Sequence, residues 1–81
     1  MWNNRIIKHE KDDVVWYSVH EVFYSKNDSV IGYTENPISI VGETVKDVKS
    51  QLKMITKDIE KHEVIDASTV KFEDWHDEEK F

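Results

Sequence analysis

Cysteine is absent from the 81-residue chain, and with it every disulfide framework and every thiolate metal site. Glycine is nearly absent as well: only Gly32 and Gly42 are present, too few to build a loop that cradles phosphate. Proline occurs once, at Pro37. No apolar run approaches the roughly 20 residues that span a bilayer, and the start Met1-Trp2-Asn3-Asn4-Arg5-Ile6-Ile7-Lys8 has no apolar stretch of the secretory type. We therefore expect a cytoplasmic chain with no membrane contact, in which the triplet Asn27-Asp28-Ser29 is a chance match to a glycosylation acceptor. A surplus of positive charge is missing too. Lys and Arg total 11 against 17 Asp and Glu, for a net charge of -6, whereas a general nucleic-acid binder leans basic. The acid is densest at the end, where residues 64 to 81 carry 2 bases and 6 acids.

One stretch carries a complete helix signal. In Gly42 to Ile59 the residues Val45, Val48, Leu52, Ile55 and Ile59 recur at the spacing that lines one helical face. Thr44 is the expected N-cap, and Asp47 completes a capping-box variant and puts negative charge where the helix dipole favours it. The helix should run from about Val45 to about Lys61.

The residues before it read as strands. Arg5 to His9 is a short strand candidate, and Asp12-Asp13 suits the turn that follows. From Val14 to Tyr24 the chain is dense in β-branched and aromatic residues that fit a pleated surface. Ser25 to Ser29 supplies turn residues, Val30 to Thr34 returns as a third strand, and Pro37 ends it. Glu63 to Asp66 adds a short fourth strand. The fold class is α+β: a two-layer domain, with an antiparallel three-stranded meander followed by one helix. It spans residues 1-66, and residues 67-81 form an acidic tail or flap.

On the long strand the odd positions are Val15, Tyr17, Val19, Glu21 and Phe23, and the even positions run from Val14 through Trp16, Ser18, His20 and Val22 to Tyr24. Neither set is polar. We assign the odd face to the helix because it has fewer polar members, which leaves an aromatic stripe on the other. Such a patch is usually buried by something. Either the C-terminal flap with Phe72 and Trp75, or Trp2, folds over it, or Trp16, His20, Val22 and Tyr24 meet a protein partner or a second copy.

Catalytic chemistry is not evident. Each of the four histidines precedes an acid, as in His20-Glu21, but neighbours on a strand point to opposite faces and cannot share a metal or form a dyad. His20, placed within a sheet beside tyrosines, reads as a structural histidine before a general base. We expect no catalytic residues, no metal and no cofactor, hence no enzyme. Lys46, Lys49, Lys53 and Lys57 form a ridge opposite the apolar stripe. Solvation is the default reading for that ridge. Its alternative is an anion-binding surface for nucleic acid, against which the acidity of the whole chain weighs.

The order of elements, with His20-Glu21-Val22-Phe23-Tyr24, then Gly32-Tyr33-Thr34-Glu35-Asn36-Pro37, then Gly42-Glu43-Thr44 opening the helix, resembles short bacterial and phage proteins related to the HicB-type antitoxin fold. The resemblance covers about residues 5 to 66. It implies a domain that binds and neutralises a small mRNA-cleaving toxin of double-stranded-RNA-binding fold. HicB proteins also carry a separate DNA-binding segment, whereas the acidic tail here shows no such pattern and implies no operator binding. The expected function is a protein-interaction module, antitoxin-like or inhibitor-like.

Overall fold

The computed structural model describes residues 1–72. Strand β1 (Trp2–Lys11) turns directly into β2 (Val14–Tyr24), then come β3 (Val30–Tyr33), helix α1 (Val45–Lys61) and the two-residue β4 (Ile65–Asp66). The sheet order is β3-β2-β1-β4, with β1–β2 and β2–β3 antiparallel and β4 parallel to β1. This is the expected three-stranded meander, helix and short fourth strand. The first strand is longer than anticipated because the polar Asn3 and Asn4 pair with Val22 and Glu21 across the ladder.

Local chemistry explains the junctions. Asp12 and Asp13 adopt φ of 51° and 68°, the left-handed pair that a two-residue hairpin needs and that aspartate tolerates better than most residues. In the loop after β2, Ser25 Oγ accepts from the backbone N–H groups of Asn27 and Ser29, while Asp28 takes the left-handed position at φ 62°. Thr44 caps α1 as expected, accepting from the Asp47 N–H at 3.1 Å. Just before it, a side chain at Gly42 would meet Asp47 Cβ at 2.5 Å, so only glycine lets the chain approach the helix so closely.

Antiparallel partners share a face, so Trp2, Asn4, Ile6 and Lys8 lie with the odd-numbered residues of β2. That is the helix side, where Trp2, Asn4 and Glu21 line a recess with Gln51, Met54 and Ile55. Trp2 therefore does not cover the opposite face.

The helix sits differently from its apolar stripe. Val48, Gln51, Ile55, Asp58 and Ile59 are half-buried, whereas Val45 and Leu52 are exposed and no helix residue is fully buried. The physical reason is a polar clasp. Asp58 Oδ2 accepts from the Asn4 backbone N–H at 3.0 Å and from Asn4 Nδ2 at 3.1 Å, and Asn4 is only 4 % exposed. Holding Asp58 against β1 turns Gln51 inward and rolls Val45 and Leu52 outward. Beside it, Asn3 bonds His62 and the Arg5 guanidinium donates to the Glu63 carbonyl.

The best-buried side chains, Ile7, Val22 and His20, lie on the far face, away from the helix. There the chain beyond β4 forms one 3-10 turn, Ala67–Thr69, and reaches Phe72, whose ring lies 4.9 Å from that of Tyr33. The cover expected from Phe72 is thus present at Tyr33. Trp75 lies outside the described residues.

Candidate interaction surface

The hairpin fixes which side chains meet on the far face. Its two-residue turn pairs Lys11 with Val14, and the register follows: His9 opposite Trp16, Ile7 opposite Ser18, Arg5 opposite His20. Ser18 consequently lies between two imidazoles, 2.8 Å from His9 Nε2 and 2.7 Å from His20 Nε2. His20 Nδ1 is 2.9 Å from the Thr34 carbonyl oxygen. A carbonyl only accepts, so Nδ1 carries the proton and Nε2 of the neutral ring accepts from the Ser18 hydroxyl. The Ser18 oxygen then accepts from His9 Nε2. His9 stacks on Trp16 at 5.2 Å and Tyr33 meets His20 edge-on at 5.1 Å.

A serine hydroxyl on an oriented imidazole has the form of a nucleophile–base pair, but burial works against the base. With 2 % of its surface exposed, His20 has its pKa held below the usual 6.5, chiefly by desolvation and further by the nearby His9, against the opposing pull of the Thr34 carbonyl. The cationic ring that proton abstraction would create is the form this site disfavours. The cluster is a satisfied polar core, and its signature is in stability. A folded-state pKa below the unfolded value gives stabilisation that is complete above about pH 6.5 and is lost as pH falls through the lower folded value. His9 and, across the ladder, Arg5 face the ring from β1, while Tyr33 and Thr34 face it from β3 and the residue after it. Urea unfolding should show the midpoint dropping as the pH falls below 6.5, more steeply in the native chain than in His20→Gln. Equal slopes would remove His20 from this role.

The structure separates the four anticipated partner-binding residues. His20 and Val22 are interior. Tyr24 is half-buried and tied at both ends of its hydroxyl, which accepts from Arg5 and donates to Asn3 Oδ1, each at 2.8 Å. Trp16 alone is offered to solvent, 44 % exposed. The lysines of the ridge, Lys46, Lys49, Lys53 and Lys57, are all exposed, and the first three border one shallow depression of about 380 Å³ beside Val45. Among the described residues no group of His and acidic side chains gathers with metal-binding geometry, and no helix is long and apolar enough to cross a membrane.

Sequence reasoning missed the feature that stands out most. Beyond the end of β3 the hairpin projects as an arm, on which Val14, Val15, Trp16 and Tyr17 are 59, 44, 44 and 60 % exposed. The even residues of β2 bond to β1, so the odd residues turn their backbone groups outward. Of these, the Glu21 and Val19 carbonyls accept from Thr34 and Ile38 at 3.0 and 2.9 Å. Val15 and Tyr17 continue the same edge, and among the described residues their outward N–H and C=O groups have no backbone partner. No family model, curated protein or solved structure matches the chain.

Proposed function

We propose that the chain is a non-catalytic protein-interaction module that pairs an extended segment of its partner with the free edge of β2. Strand addition of this kind takes affinity from backbone bonds and selectivity from alternate side chains. One observation carries the reading: an edge with no backbone partner among the described residues, flanked by exposed Val14, Val15, Trp16 and Tyr17. Edges of soluble sheets are normally blunted by lysine, proline, an inward charge or a bulge. From Val14 to His20 there is no Asp, Glu, Lys, Arg or Pro, and the irregularity in β2 pairing falls later, between Phe23 and Tyr24. A chain that resembles HicB-type antitoxins would use such an edge against a small toxin, with aromatic Trp16 and Tyr17 as anchors.

The test is capture from the source cell with immobilised chain, run in parallel with Val15→Pro. Residue 15 turns its N–H away from β1, so proline there removes the edge donor and spares the hairpin ladder. The native chain should retain a protein at about 0.5 M salt, because strand pairing is not ionic, and the variant should lose it. Identical retention by both would end the reading. Retention of nucleic acid that vanishes at that salt would favour the ridge of Lys46, Lys49, Lys53 and Lys57 instead.

A further inference from the structure

Resting on that reading, we infer that the segment pairing with the free edge is the same edge of a second copy, arranged about a two-fold axis through Trp16. The argument comes from backbone parity. A symmetric antiparallel pairing sets residue i of one chain opposite j of the other with a constant sum, and only odd residues of β2 face outward. Placing Val15 opposite itself pairs Tyr17 with Asp13, which already turns away in the hairpin loop with φ 68°. Placing Tyr17 opposite itself pairs Val15 with Val19, whose carbonyl is taken by Ile38. The register between them sets Val15 opposite Tyr17 of the second copy and Trp16 opposite Trp16. It uses both free residues on each chain, and the next position, Asp13 opposite Val19, falls in the hairpin loop and ends the pairing there.

Charge allows this arrangement. The paired segments bring no charged side chain from Val14 to Ser18, and the antiparallel sense carries the acidic turns Asp12-Asp13 to opposite ends. Eight residues of strand separate Asp12 of one copy from Asp12 of the other, about 27 Å at 3.4 Å per residue, well beyond the screening length of about 8 Å at physiological salt. The area sets the strength. With side chains of about 150 to 250 Å², the exposed fractions of Val14 to Tyr17 amount to roughly 400 Å² per copy. The total of roughly 800 Å² falls below the 1,200 Å² of stable complexes, so the dimer is weak and concentration-dependent.

Sedimentation from about 10 µM to about 1 mM should show monomer passing into dimer. Raising the salt should favour the dimer by screening the net charge of -6 on each chain. Val15→Pro and Val15→Lys should remain monomeric with an unchanged far-ultraviolet spectrum. The native chain has no cysteine, so single-cysteine variants report the register. Trp16→Cys places its two Cα atoms about 4.5 Å apart in a non-hydrogen-bonded pair, within disulfide reach. It should cross-link at least about tenfold faster than Val14→Cys, whose copies lie roughly 14 Å apart. If neither Val15 variant folds, the cysteine pair decides alone. The inference is overturned by a chain still monomeric at about 1 mM, by equal cross-linking at both positions, or by Val15 and Tyr17 amides that resist exchange in the dilute monomer, which would mean the chain covers its own edge. A monomer that still captures a different protein through Val15 leaves the strand-addition reading standing while this inference fails.

Discussion

Replacing Ile7 with alanine should remove about 3 kcal/mol of stability, within the usual 2 to 5 for truncating a fully buried isoleucine. Ile7 has 0 % of its surface exposed. It sits between Ser18 on β2 and Ile65 on β4, so the cavity would open where two neighbouring strands already close in. For a chain of this length total stability is on the order of 4 to 12 kcal/mol, and the loss would consume a quarter or more of it. Urea denaturation would read this as a midpoint lower by about 1 to 3 M. Leu52→Ala, on an exposed part of the helix, should shift it far less. The reverse order, with Leu52 costing more than Ile7, would mean that the working core lies under the helix and that the fold described above is inverted.

The second large effect is expected from Asp58→Ala. Helix α1 buries no side chain completely, so its attachment depends unusually on the carboxylate that accepts two bonds from Asn4. Hydrogen bonds to a charged group contribute about 1.5 to 3 kcal/mol, and removing the acceptor also strands two donors at a residue with little access to water. Losing about 2 kcal/mol corresponds to roughly thirty-fold less protection against amide exchange. That loss should be confined to α1 and β4, with the β1–β2 ladder unchanged. A uniform fall across sheet and helix, or no fall, would show that the clasp does not hold the helix on.

Much of this architecture is legible in the chain. Thr44 and Asp47 announce the helix start, and the run from Val14 to Tyr24 coincides with β2. Those signals are local, formed by neighbours in sequence, and local signals survive folding. The parts that were not legible depend on distant polar pairs. Nothing periodic links Asn4 to Asp58, yet their contact sets the rotation of the helix and leaves Val45 and Leu52 outside. The face bearing the core was also obscure, because β2 is apolar on both sides and alternation then carries no information. The histidine–serine cluster was reachable in principle. A two-residue turn at Asp12-Asp13 implies Lys11 opposite Val14, and counting back brings His9, Ser18 and His20 onto one surface. The free edge required knowing where β3 ends, which Pro37 marks only on the opposite strand.

Those two adjoining aspartates have reach well beyond their own loop. Adding or removing one residue there would offset the hairpin by a step, send Ile7 to the other surface and part Ser18 from the His9 imidazole. The bond between His9 and Ser18, the latter roughly 17 Å along the strand from Asp13, is thus dictated by a turn to which neither residue belongs.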